Sequence, residues 1–299
     1  MICGIVDLGS NTIRLSIYKY EGQESHLLMN RKVMAGLAGY VERGNLTPQG
    51  VQVACRALSG YRALLENLEI GSMYVFATAS LRNVANTQQV VEQIHAQTGI
   101  QVDVISGEEE AELSFRGALH GMEHQSGLLM DLGGGSTELV RYENGKILSS
   151  CSIAVGSLNL FSRYVSSLHP VGGERKAIRA AVRRQLDQAA GELGRVDHIC
   201  GVGGTIRAAC KVANLLFDRP ADCHTLSAEE LKQLLKRVKN PDRGTLLDLL
   251  KAVPDRIHTI IPGLLVVDTV CRAVRAQDIT ASSCGVREGY LHKRVMGEG

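Results

Sequence analysis

One short block occurs twice in the chain. Ile5-Val6-Asp7-Leu8-Gly9-Ser10-Asn11-Thr12 leads into an apolar alternation from Ile13 to Tyr20 and then Glu21-Gly22. Leu129-Met130-Asp131-Leu132-Gly133-Gly134-Gly135-Ser136-Thr137 leads into Glu138-Leu139-Val140-Arg141-Tyr142 and then Glu143-Asn144-Gly145. Each copy reads as strand, Asp-Leu-Gly turn, small polar residues, second strand and tight turn. Asn144-Gly145 is a type I′ hairpin signal, because both central residues of that turn need positive φ. A unit repeated once in each half predicts duplicated domains.

Between the copies, strands alternate with helices. Thr47 caps and Pro48 opens a helix whose apolar face is Val51, Ala54, Leu58, Tyr61, Leu65 and Leu68. Met73 to Phe76 reads as a strand, and Asn86 is read as the cap of a helix ending at Gly99. Gln101 to Ile105 reads as a strand and Glu108 to Leu119 as a helix. The second half repeats the pattern, with a strand over 197–202, helices near 227–239, 245–252 and 263–276, a strand over 278–282 and a last helix over 286–295. The expectation is α/β with mixed sheets, and a domain boundary at 120/121. The last helix is free to pack back on the first domain.

At 299 residues the chain suits two domains, and 44% apolar residues supply two cores. A net charge of +2 gives no overall field for nucleic acid, so affinity for a polyanion must come from a local site. The eight cysteines include no C-x-x-C pair and read as buried reduced thiols. The first residues read as a strand rather than a signal peptide, and no run is long enough to span a bilayer. A cytoplasmic protein without a membrane partner is expected.

Three turns carry candidate chemistry. Gly9, Ser10, Asn11 and Thr12, and Gly133, Gly134, Gly135, Ser136 and Thr137, offer successive amides and hydroxyls suited to phosphate oxygens. Asp7 and Asp131 stand where a strand ends and can hold a divalent cation. Gly203-Gly204-Thr205 is a third strand-to-helix turn, read either as a phosphate contact or as a tight turn. Ser106-Gly107-Glu108-Glu109-Glu110-Ala111 opens a helix, which dipole complementation and a serine cap explain without catalysis. Arg82 and Arg256 taken singly read as surface arginines, Arg287-Glu288 as a local ion pair, and Arg175 to Arg184 as a solvated basic face. His120 and His124 have metal-ligand spacing but no third ligand nearby in sequence.

Together these motifs resemble the exopolyphosphatase/guanosine pentaphosphatase family of the actin, Hsp70 and sugar-kinase superfamily. The match is collinear through Asp7 to Thr12, Ala77 to Arg82 with Asn86, Ser106 to Ala111, Asp131 to Glu138, Gly203 to Thr205, Arg256 with Pro262-Gly263, and Gly285 to Gly289. The resemblance implies two ribonuclease H-like lobes with an active-site cleft between them. It implies a glutamate base at Glu110, with Glu109 as the neighbouring alternative. It assigns Mg²⁺ (or Mn²⁺) to Asp131 and Glu138 with Asp7, and the phosphate chain to Arg82 and Arg256. Inorganic polyphosphate or a guanosine polyphosphate is the implied partner, and a homodimer the family habit. The chain has no HD-type histidine–aspartate pair and looks like the family's short form. Arg14 has no role in this reading. A kinase of the same superfamily and a non-catalytic polyphosphate or alarmone sensor stay open.

Overall fold

The computed structural model describes residues 1–119, 124–188 and 193–297. The opening alternation folds as β1 (Ile2–Leu8), β2 (Thr12–Glu21) and β3 (Glu24–Met34), three antiparallel neighbours. A two-residue hairpin, β4 (Val41–Glu42) and β5 (Asn45–Leu46), precedes α1 (Pro48–Asn67). The Thr47 hydroxyl accepts from the Gly50 N–H at 3.3 Å, and Pro48 occupies a first-turn position where no N–H is needed. Then come β6 (Met73–Ala77), α2 (Ala79–Arg82), α3 (Thr87–Thr98), β7 (Asp103–Val104) and α4 (Gly107–Leu119). The sheet runs β3-β2-β1-β6-β7, with β6 parallel to β1 and β7 parallel to β6.

The second half repeats this wiring. β8 (Ser126–Leu132), β9 (Thr137–Glu143) and β10 (Lys146–Ile153) are antiparallel neighbours. They are followed by α5 (Ser157–Tyr164), α6 (Gly172–Gln188), β11 (His198–Val202), α7 (Gly204–Leu216), β12 (Thr225–Ser227), α8 (Ala228–Arg237) and α9 (Arg243–Ala252). The last elements are α10 (Ile260–Val274), β13 (Asp278–Ala281) and α11 (Val286–Tyr290), which passes into a π-helical turn over Leu291–Val295. The order is β10-β9-β8-β11-β13-β12, with β11 parallel to β8 just as β6 is parallel to β1. Register repeats as well: Asp7 faces Arg14 and Leu8 faces Ile13 in one sheet, while Asp131 faces Glu138 and Leu132 faces Thr137 in the other.

Local chemistry accounts for most boundaries. Asn144 (φ 49°) and Gly145 (φ 71°) have the two positive angles of a type I′ turn, and Gly99 closes α3 at φ 67°. α10 is buried at every position from Ile260 to Cys271, at the centre of the second core, with Asp268 the one charged residue in that run. Asn86 departs from expectation: its side chain does not cap α3 but exchanges two bonds with the Leu46 backbone, at 2.9 and 3.0 Å, fastening β5. The basic stretch on α6 is not wholly solvated. Arg175 is buried and donates to the carbonyls of Val238 and Leu235, and Arg179 pairs with Asp268. All eight cysteines are free, and among the described residues no helix is long and apolar enough to cross a membrane. The boundary expected at 120/121 lies outside the described residues, as does His120.

The two sheets are joined by the crossing of α4 with α11. A methyl group on Gly117 would lie 1.9 Å from the Gly285 carbonyl oxygen, and one on Gly289 would lie 1.8 Å from the Leu113 oxygen. The backbones therefore touch directly. α11 follows the second sheet in sequence, yet Tyr290 stacks on Phe76 of β6 with centroids 4.8 Å apart and joins Cys3, Ile5, Tyr18 and Ile105 in one apolar cluster. Gly117→Ala or Gly289→Ala is expected to destabilise the protein by at least about 1–3 kcal/mol, since the methyl meets backbone that cannot rotate away. Gly60→Ala, in α1 with open space around it, is expected to stabilise by roughly 0.5–1 kcal/mol. Thermal denaturation of the three variants checks this contrast.

Candidate active site

The duplicated hairpins end in the same turn. The Gly9 N–H donates to the Thr12 carbonyl at 3.1 Å, and the Gly133 N–H donates to the Ser136 carbonyl at 3.1 Å. The two turns face each other closely. A methyl on Gly135 would sit 2.6 Å from Ser10 Oγ, and one on Gly134 would sit 3.4 Å from Asn11 Cβ. Behind the second turn, the carbonyls of Gly133 and Gly134 accept from the amides of Ser157, Leu158 and Asn159 at the start of α5. Gly156 permits that approach, because its added carbon would lie 2.4 Å from the Gly134 backbone. Gly203 (φ 100°) and Gly204 bring the amino end of α7 to the same cleft, where its dipole favours anions.

Asp7, Glu110 and Asp131 line this cleft, and Glu138 is joined to Glu110 through Arg82. Glu110 of α4 is buried, and its Oε2 accepts from Arg82 Nη1 at 2.6 Å. Glu138 Oε1 accepts from Ser152 Oγ at 2.8 Å and from Arg82 Nη2 at 3.5 Å. Its Oε2 is buried with no hydrogen-bond partner among the described residues. Asp131 accepts from Ser114 Oγ of α4. Burial raises all of these acids, since the charged form loses its water. Glu110 is raised well above the ordinary range by burial and then by the Glu138 charge, against the pull of Arg82. Glu138 is raised by burial and then by Asp131, and Asp7 is raised by burial to about 6 despite Arg287 and Arg14. One guanidinium is shared by Glu110 and Glu138, and the remaining negative charge is held close together.

The other side of the cleft is basic. Arg14, Arg207, Arg256 and Arg287 line it with the glycine turns. Burial, followed by repulsion from Arg287 and Arg207, lowers Arg14 to about 10. Arg256 lies across the first turn of α7, so that a methyl on Gly204 would lie 2.1 Å from its Nη2. Arg287 donates to Ser16 Oγ and to Asn30 Oδ1 at 3.0 Å, while Glu288 accepts from Tyr18 and from the Gly285 N–H. The two side chains thus turn to different partners rather than forming a local ion pair.

Several expectations are corrected by this geometry. Glu109 does not face the cleft; one helical position from Glu110, it pairs with Arg294 at the surface. Arg82 is committed to Glu110, Glu138 and Ser136 rather than set against the cleft wall. Thr137 and Thr205 do not line the cleft: the Thr137 hydroxyl donates to the Val155 carbonyl, and the Thr205 hydroxyl donates to Ser157 Oγ while accepting from Arg256 Nη1 at 3.5 Å. Ser10, Asn11, Thr12, Ser136, Gly203, Gly204 and Arg256 do line it. Arg14 and Arg207 had no signal as single arginines. The repeat carried one, since Arg14 stands where the second copy has Glu138.

Two sheets of like topology, glycine turns face to face and acids beside arginines define a two-lobed actin-like α/β fold with a charged cleft. The profile of the Ppx/GppA phosphatase family matches residues 16–297, and the chain belongs to that family. It is 23% identical over 297 residues to a guanosine-5'-triphosphate,3'-diphosphate pyrophosphatase of Vibrio cholerae, covering 97% of this chain and 59% of the relative. The chain therefore spans little more than half the length of that curated relative. Its structure superposes on that of an exopolyphosphatase from Cytophaga hutchinsonii with a TM-score of 0.87, at 25% identity, over 99% of this chain and 98% of the other. A Ppx/GppA family member from Aquifex aeolicus matches with a TM-score of 0.79 at 23% identity, over 100% of this chain and 99% of the other.

Raised carboxyl groups bind more protons in the folded than in the unfolded chain, so they oppose folding increasingly as pH rises above the unfolded value of about 4.5 for a glutamate. In chelator, Glu138→Gln is expected to melt higher than the parent at pH 7.5, and the difference is expected to shrink as pH falls toward 4.5. Melting curves of both proteins across that range check it.

Proposed function

We propose that the cleft hydrolyses the terminal phosphoanhydride of inorganic polyphosphate or of a guanosine polyphosphate. The observation that carries this reading is the placement of Glu110, held by Arg82 at 2.6 Å, in the cleft where the two glycine turns meet. Glu110 is the group to take a proton from the attacking water. Burial and then the Glu138 charge raise its proton affinity well above that of an ordinary carboxylate, which strengthens it as a base. Arg82 fixes one oxygen of that carboxylate and so orients it. Amides of the turns at 9–12 and 133–136 are suited to the phosphoryl oxygens, and Arg14, Arg207 and Arg256 to the leaving phosphate chain, where a planar fork binds two oxygens at once. The attack is in line, and positioning with charge stabilisation supplies most of the rate.

The acidic side fits a hard divalent cation. Its donors are all carboxylate oxygens, burial and then the Asp131 charge raise the proton affinity of Glu138, and Glu138 Oε2 is a buried orphan. Asp131 and Glu138, with Asp7 across the cleft, would hold Mg²⁺ or Mn²⁺. Bound there, the ion would neutralise charge on the phosphoryl group. The free thiols suit a reducing cytoplasm.

Phosphate release from short polyphosphate, long polyphosphate and guanosine pentaphosphate, with and without Mg²⁺, tests the proposal. Glu110→Gln is expected to lower turnover by about 10²–10⁴-fold while leaving substrate binding in place. Unchanged turnover in that variant would remove the base assignment. Transfer to an added acceptor from ATP, with no release to water, would instead favour the kinase reading. Arg14→Gln is expected to raise KM by about tenfold with little change in melting temperature, since a charge-assisted bond is worth about 1.5–3 kcal/mol.

A further inference from the structure

We infer that the second sheet carries a separate site for a borderline divalent cation of the Zn²⁺ class, made by His124, His198 and Asp278. The three residues come from distant parts of the chain but from adjacent strand starts. His198 opens β11 and Asp278 opens β13, and the two are direct partners in the parallel register. His124 stands two residues before β8, the neighbour of β11 on its other side. One ligand atom from each residue lies within 4.8 Å of the others. His198 Nδ1 bonds Asp278 Oδ1, and the His124 ring lies over the His198 ring with centroids 3.7 Å apart and planes inclined by 36°. His198 is buried while His124 is exposed, so the fixed pair is set by the sheet and the third ligand can turn toward it.

The site does not belong to the cleft. The phosphate turns follow the carboxyl ends of β8 and β11, whereas these ligands stand at the amino ends. At about 3.3 Å per residue, the length of β8 separates the two by roughly 20 Å. The donor sets differ in kind. The cleft offers carboxylate oxygens alone, which suit Mg²⁺, while two imidazoles and one carboxylate suit Zn²⁺, Co²⁺ or Ni²⁺. Three protein ligands leave room for a solvent ligand in a tetrahedral shell. An ion there would staple the starts of β8, β11 and β13 together.

The test uses the full chain, stripped with chelator and then dialysed against Zn²⁺ alone. The parent protein is expected to retain one equivalent. His124→Ala, a change at an exposed position, and Asp278→Asn are each expected to weaken retention by about tenfold or more, as loss of a ligand requires. Glu138→Gln is expected to retain the ion. Co²⁺ substitution adds a visible d–d spectrum that should vanish in His124→Ala and persist in Glu138→Gln. A parent protein that retains no Zn²⁺ at micromolar concentration overturns the site. So does a His124→Ala protein with parental affinity, or retention that is lost in Glu138→Gln but kept in His124→Ala.

Discussion

The backbone contact between α4 and α11 is the constraint on which the cleft depends. α4 carries Glu110 and Ser114 to the second sheet's Asp131, and α11 carries Arg287 and Glu288 to the first sheet's Ser16 and Tyr18. Each helix thus reaches across to the other lobe, and the two meet where a side chain on Gly117 or Gly289 would overlap main-chain atoms, the carbonyls of Gly285 and Leu113. Helices usually pack with axes 8–10 Å apart because side chains stand between them. Removing those side chains lets the acid on α4 and the arginine on α11 enter one narrow cleft from opposite lobes.

The duplicated hairpin explains how one fold can present opposite charges to a single ligand. In the first copy the residue across from the strand-end aspartate is Arg14; in the second it is Glu138. Backbone geometry is the same in both, down to the glycine-to-carbonyl bond of each turn. One substitution at one register position therefore reverses the charge beside the strand-end aspartate. This asymmetry follows from pairing in the sheet, because cross-strand partners have side chains on the same face.

Much of this was legible in the sequence, for identifiable reasons. The repeated Asp-Leu-Gly turn, the Thr47-Pro48 start and the Asn144-Gly145 hairpin are local signals, and they hold because local φ/ψ demands set them. Glu110 could be separated from Glu109 only in three dimensions, since both sit in a first helical turn and the direction of Arg294 decides which one faces outward. Asn86 looked like a cap because caps are local, but the distant β5 backbone offered it two bonds instead. Arg207 gave no signal because its neighbours in the cleft come from other elements. Gly263 had an unreadable role until Thr205 was seen to pack against it, where a methyl would lie 2.2 Å from the threonine Cγ2.

The electrostatics of the cleft link its two sides. The arginines repel one another: Arg14 is lowered by burial and then by Arg287 and Arg207, and Arg256 by burial and then by Arg207. The acids do the same in the opposite sense, Glu138 raised by burial and by Asp131. Under the proposed function, a phosphate chain would relieve the first repulsion and a divalent cation the second, and each would leave the other's partner less well balanced by fixed charge. Binding either one would then favour the other, and the coupling would be reciprocal by linkage. Such an arrangement would discriminate by charge distribution rather than by shape, since a polyanion without the cation, or the cation without the polyanion, satisfies only one wall. Arg82 is the exception among the arginines, since it pairs with Glu110 and Glu138 from within and leaves the remaining arginines free of that task.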